Sequence, residues 1–417
     1  MGRVVSGVLS LLLAGVVLAA ADDGFLCHPK APATASFWDR KVHPEPPLPP
    51  LPAAGGTFVD PTFRTTIMRL TDEADGPNNQ VGYSYWPTFN RDSTRAAVGT
   101  GDGQTRTLYR LDPVSFTLLG KQLVPPSPSG QMQWDDAIWS GTDPDVLFGH
   151  TIDGKLWSYD ASAQQYSLVK DFATAFPGEY QWQMSKSLDD NVFAFTRREY
   201  GTWAVLGYMA WRRATDQILL NESTVAVDEV HVDKTGRWLY IATGAGGPGA
   251  IESRVADLLT GQIVADLTDD APDQAPGHYD TGRGTIMGDA NWINAITFRS
   301  LAAPHQFRTM LDLGLDWTQA LHSSMLAEDE RWATVSFFGD GGDGLFHREI
   351  VQVATDGSQK VRRLAHHRSV FAGYYDAPRA NASRDGCFVA FTSNWGGSGR
   401  WDVFILNLAR AGAGPAS

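Results

Sequence analysis

The chain has 417 residues, a hydrophobic share of 43%, a charged share of 19% and a formal charge of −13; this describes a folded globular protein and excludes a disordered or coiled-coil one. So acidic a balance argues against a general phosphate-binding surface, and hence against a nucleic-acid protein, while leaving room for one local basic pocket. Two cysteines are too few for a disulfide-built scaffold or a four-cysteine zinc site, and 46 aromatic side chains beside 42 Gly and 23 Pro suit many short strands better than long helices.

The first element is an address. Met1 to Arg3 carry one positive charge, Val4 to Leu18 are apolar, and Ala19-Ala20-Ala21 precedes an acidic pair. This predicts a signal peptide over residues 1–21 and a mature chain that is secreted, extracellular or periplasmic. No later stretch is long and apolar enough to span a bilayer. In an oxidising compartment Cys27 and Cys387 are free to form a disulfide; the other reading is two independent thiols, with Cys387 buried as a small apolar group. Residues 22–56 are Pro-rich, with Pro46-Pro47-Leu48-Pro49-Pro50-Leu51-Pro52 favouring extended polyproline geometry, as a strap on the domain or a linker to it.

From 57 to 410 the sequence repeats, and 411–417 is a small-residue tail. Short apolar strands alternate with turns anchored near Asp92, Asp143, Asp190, Gly236, Asp289, Asp329 and Asp385, a mean spacing of about 49 residues. Asp112, Asp160, Asp257 and Asp356 follow further apolar runs, where outer hairpins should turn. No capped helical stripe interrupts the pattern. The fold class is therefore all-β: a seven-bladed β-propeller, or eight-bladed if 260–315 holds another unit. The last unit offers three strands, and the unpartnered run Thr65–Thr71 is expected to complete it and close the ring.

Residues Asn381 to Gly397, followed by Trp401-Asp402-Val403-Phe404-Ile405-Leu406, resemble the TolB-type (WD-like) propeller repeat: an S-x-D-G turn, an apolar strand, a Gly-rich loop and a W-D strand. More loosely, the chain is similar to oligogalacturonate lyase-like propeller polysaccharide lyases. That resemblance implies a secreted enzyme cleaving acidic oligosaccharides by β-elimination.

In a propeller the loops entering the innermost strands converge on one mouth. Those positions are Tyr85, Trp86, Asp135, Asp136, Gln181, Gln183, Glu229, His231, His278, Tyr279, Asp280, Arg283, His322, Tyr374, Tyr375 and Asp376. Elimination beside a carboxylate needs a cation to neutralise it, a base for the carbon-bound proton and an acid for the leaving oxygen. Arg283 is the candidate neutraliser, His322 or His278 the base, and Tyr375 or Tyr279 the acid. Trp86 and Trp182 are candidates for stacking on sugar rings, with Asp376 as a further substrate contact. No cofactor is required, but a divalent cation would suit His278, His322 and one of His366 or His367 with Asp376. The alternative to an enzyme is a non-catalytic propeller that binds a protein or glycan partner at the same mouth.

Overall fold

The outer strand Thr117–Leu123 alternates strictly between exposed and half-buried residues, whereas Phe388–Ser393 and Asp402–Asn407 are buried at every position. The second pattern arises where a sheet is covered on both faces by its neighbours. In a computed structural model of the chain the described residues are 39–101, 105–244, 249–270, 273–314, 320–339 and 344–408, without the side chains of 134–136. Residues 1–21, Cys27, the tail 411–417 and the side chains of Asp135 and Asp136 lie outside them. So do residues 245–248 and 340–343 of two glycine-rich loops.

The described residues form seven antiparallel sheets and no α-helix, and the architecture is a seven-bladed β-propeller. Blade 1 is built on Arg95–Thr100, with an irregular inner segment bridged to it at Gln80–Gly99 and Phe89–Ala96. Blades 2 to 6 have four strands each, and their innermost strands are Gln133–Trp139, Glu179–Lys186, Glu229–Val232, Gly277–Thr281 and Ala320–Ser324. Blade 7 joins the two ends of the propeller. Thr66–Arg69 pairs antiparallel with Asp402–Asn407, in the register Thr66–Asn407 to Arg69–Phe404, and Thr57–Val59 adds a fifth strand outside it.

The core consists of seven apolar clusters, one at each blade junction. Trp139 and Leu147 meet Leu108 between blades 1 and 2; Val389 and Phe391 meet Ile350 and Leu364 between blades 6 and 7. No single central core exists, because each sheet is apolar on both faces and every junction buries its own pair of faces.

The repeated turn acids have a physical role at these junctions. The Asp190 carboxylate accepts from the Gly141 N–H at 2.9 Å, the Asp233 carboxylate from the Gly284 N–H at 2.8 Å, and Asp385 accepts from the Ser93 hydroxyl at 3.2 Å. Each clips its own turn to that of the neighbouring blade. The fifth turn falls at Gly282–Gly284 rather than at Asp289, which lies inside the strand Thr285–Ala290. Gly284, at φ 69°, supplies the left-handed residue the tight turn needs.

Residues 39–56 run along blades 6 and 7 and are held by their carbonyls. Arg363 donates to the Lys41 carbonyl at 2.8 Å, His366 Nε2 to that of His43 at 3.1 Å, Arg368 to that of Pro46 at 2.6 Å and Arg69 to that of Pro52 at 2.9 Å. Proline lacks an N–H, so carbonyl acceptance by side chains replaces strand pairing.

Candidate functional site

The mouth named by the sequence exists, with a different membership. Segments of blades 1, 3, 4 and 7 line a cavity of about 460 Å³, bordered by Tyr83, Trp86, Trp182, Glu229, Tyr374 and Arg379 among others. A second lobe of about 360 Å³ shares Tyr83, Tyr85, Asp228 and Glu229 with it and extends to His278 and Glu252. Three lining residues, Gln183, His278 and Arg379, hold left-handed backbone at φ 52°, 41° and 48° although none is glycine. Such strain persists only where surrounding structure enforces it, and it concentrates at functional sites.

At the centre stands Tyr83. Its hydroxyl lies 2.9 Å from Nε2 of His322, and the two rings meet edge to face at 4.7 Å. His322 is 3% exposed and stacks on Phe338 at 4.6 Å. Burial, then the nearby His278 and Arg379, push its pKa well below the usual histidine value, so the imidazole is neutral. The neutral imidazole and the phenol share this one hydrogen bond, and the imidazole tautomer sets which of the two donates. Burial likewise raises the pKa of Tyr83 and keeps the phenol protonated.

Arg379 closes one side. Its guanidinium stands 4.3 Å over the Tyr374 ring and 5.5 Å over the Tyr83 ring, and one nitrogen donates to the Tyr374 carbonyl at 3.0 Å. Its Nε has no hydrogen-bond partner among the described residues, although the side chain is buried. Glu229 holds the floor: it accepts from the Tyr85 hydroxyl and, at 2.8 Å, from the Tyr279 hydroxyl, with His231 Nε2 3.5 Å away. Burial raises the Glu229 pKa, but His231 and the two hydroxyls outweigh it and leave the carboxyl below its ordinary value.

Of the residues expected from the sequence, His322, His278, Tyr375, Trp86 and Trp182 reach this region. The His278 ring lies 5.0 Å from that of His322, and its Nδ1 is 3.8 Å from Asp289. Tyr375 is exposed at the rim beside Tyr374. Trp86 donates its indole N–H to the Met184 carbonyl at 3.0 Å, and Trp182 packs against Trp203 at 5.1 Å. Tyr279 is buried, its hydroxyl engaged by Glu229.

Arg283 and Asp376 are elsewhere. Arg283 is exposed in the turn after Gly277–Thr281, at the far end of the strand that carries His278, where its backbone N–H donates to Glu330 at 3.0 Å. Four or five residues of extended chain separate the two by roughly 15 Å. Asp376 is buried, accepting from Asn394 and Trp401 at 2.8 Å each and from the Ala372 N–H at 3.0 Å, which fastens the loop before the last inner strand. Asp280 likewise lies inward, bonded by Met325 and Thr281 backbone. His366 and His367 are buried against the strap and the Phe337 carbonyl, away from the mouth. No group of three or more His, Cys, Asp or Glu side chains among the described residues is placed to hold a metal ion.

Tyr83 and Arg379 are the residues sequence reasoning missed. Tyr83 stands two residues before Tyr85, in a segment whose later residues alone are assigned to the mouth by the sequence. Arg379 immediately precedes the short inner strand Asn381–Ala382, the position that yields Glu229 and His278 in blades 4 and 5, and could have been found by that equivalence.

No family model matches the chain, and no curated protein matches it. Among solved structures, an oligogalacturonate lyase from Vibrio parahaemolyticus is similar with a TM-score of 0.58 at 12% identity, covering 85% of this chain and 98% of that one. An oligogalacturonate lyase in complex with manganese is similar with a TM-score of 0.58 at 14% identity, covering 86% of this chain and 97% of that one. Both agree with the looser resemblance drawn from the sequence. At such identities the likeness is one of fold, and it does not bear on the TolB-type repeat.

Proposed function

We propose that the protein is a saccharide lyase acting on uronate-containing oligosaccharides at the Tyr83–His322–Arg379 mouth. The observation that carries this reading is the convergence, on one cavity, of a phenol held by a neutral imidazole and the guanidinium of Arg379. In the reaction the uronate carboxylate pairs with Arg379, whose planar fork suits it. His278 takes the proton from the carbon next to the carboxylate. The electron pair left behind forms a carbon–carbon double bond as the bond to the glycosidic oxygen breaks. Tyr83 gives its proton to that oxygen and regains one from solvent or from the protonated His278. Burial keeps the phenol protonated, so Tyr83 has a proton to give as charge develops on the glycosidic oxygen. With its hydrogen on Nε2, His322 donates to the Tyr83 oxygen and leaves the phenol hydrogen for the departing oxygen; His322 itself does not touch substrate.

One solved neighbour carries manganese. In this chain His322 is bound to Tyr83, His231 faces Glu229, and His278 leans toward Asp289, so the donor set does not fit that ion. Arg379 provides the positive charge instead.

The chain further reads as an exported protein: the segment 1–21 has the layout of a signal peptide, and Cys27 and Cys387 are then paired. The test of function is ultraviolet absorbance from new unsaturated uronates across a panel of uronate polymers, with and without divalent cation. Signal that disappears in Tyr83→Phe supports the lyase. No signal with any polymer ends it, and binding without cleavage would leave the propeller a glycan receptor.

A further inference from the structure

The two lobes of the mouth differ in charge. Asp228 and Glu229 border both lobes; Arg106 and Arg379 line only the first, whereas the second adds Glu252 and His278 and is lined by no lysine or arginine. Its acids are unevenly met: His231 and two hydroxyls hold Glu229 down, whereas Glu252 and Asp228 are raised. Burial, then a hydrogen bond to Asp269, pushes Glu252 up to about 7, and burial with the charge of Glu229 raises Asp228. An added carboxylate would meet the same field without a counter-charge.

The remaining walls of that lobe offer hydrogen-bond partners rather than charges. Gln274 and Asn291 bring amide groups to its wall, the Thr243 and Ser253 hydroxyls being bonded to backbone carbonyls, and the carboxylates accept from hydroxyl, amide or ammonium donors. The first lobe carries the opposite signature: Arg106 and Arg379 bring guanidinium charge to its wall.

We infer that the mouth is built for a saccharide of alternating charge, in which a uronate occupies the Arg379 lobe and a non-anionic sugar occupies the Asp228–Glu252 lobe. This rests on the lyase reading for the position of the scissile bond, near Tyr83 where the lobes join. A homopolymer of uronates would place a second carboxylate among the acids and be disfavoured.

The experiment compares initial rates on polygalacturonate and on two alternating polymers, above neutral pH so that Glu252 is ionised. One polymer alternates glucuronate with N-acetylglucosamine, the other a uronate with a neutral hexose or deoxyhexose; the two arms distinguish an amide-bearing from a purely hydroxylated partner sugar. The expected result is kcat/KM at least about tenfold higher on one alternating polymer than on polygalacturonate, with the ratio narrowed in Glu252→Gln and Asp228→Asn. Equal rates, a preference for polygalacturonate, or a ratio unmoved by both substitutions overturns the inference while leaving the lyase standing. If nothing is cleaved, the lyase reading fails, and calorimetric titration with tetrasaccharides of the same compositions decides the charge preference. Tighter binding of an alternating tetrasaccharide upholds it; equal binding, no binding, or tighter binding of tetragalacturonate overturns it.

Discussion

The Tyr83 hydroxyl and His322 Nε2, 2.9 Å apart, belong to blades 1 and 6 and are 239 positions apart in the chain. Only closure of the ring brings them together. The imidazole, buried and neutral, fixes the phenol in the direction of the cavity. Tyr83→Phe is therefore expected to lower kcat by about 10²- to 10⁴-fold, the span of general acid–base catalysis, with an unchanged thermal melt. His322→Asn should lower kcat while KM holds, because it loosens the orientation of Tyr83 without removing a substrate contact. Steady-state kinetics beside circular dichroism checks both.

Two arginines separate the geometry from the linear pattern. Arg379→Ala should cost about 10- to 100-fold in kcat/KM, the worth of a charge-assisted hydrogen bond, and Arg379→Lys should recover only part, lacking the planar fork. Arg283→Ala, an exposed turn position, should stay within about twofold of the parent. If Arg283 proved the sensitive one, the cavity would not be where the substrate's carboxylate sits.

Much of the architecture is legible because turn acids repeat for a mechanical reason, Asp190, Asp233 and Asp385 each clasping the adjacent blade. Where the repeat slips, at blade 5, Gly282–Gly284 make the turn and the acid is absent, so spacing alone points to Asp289 as the anchor and to Arg283 as a mouth residue. The site was less legible. Tyr83 follows no periodic pattern, and Asp376 reads as a substrate contact in sequence yet is consumed by Asn394, Trp401 and its own loop. Spacing reveals which residues approach the axis; it does not reveal which of them are already satisfied.

Acid should unfold the protein through His367. Its Nδ1 accepts from the Ser369 N–H at 3.0 Å and its Nε2 donates to the Phe337 carbonyl at 2.8 Å. Burial, against the help of that carbonyl and with Arg348 and His366 nearby, holds its pKa down to about 3, from 6.5. Between those values the unfolded chain binds the proton and the folded one does not. The stability this group contributes is complete above pH 6.5 and falls as pH drops toward 3, by a few kcal/mol in all, at about 1.4 kcal/mol per unit. Urea titrations at stepped pH should show the slope, and His367→Gln should flatten it; an unchanged slope refutes the assignment.

The mature protein should carry one disulfide, from Cys27 to Cys387. It would close nearly the whole chain, and loop entropy for so long a closure is worth about 5 kcal/mol. Mass spectrometry under non-reducing conditions detects the bond, and reductant should lower the melting temperature. Two alkylatable thiols in the native protein would disprove it.

The antiparallel pairing of Thr66–Arg69 with Asp402–Asn407 has a temporal meaning. Synthesis proceeds from one end, so the first-made partner of this sheet must wait until the last-made one has left the ribosome. Blades 2 to 6 have their strands long before, yet the junctions on either side of blade 7 stay open until then. A nascent chain stalled short of Asp402 would display both unfinished faces to the cell, and chaperone demand should peak at that length rather than earlier.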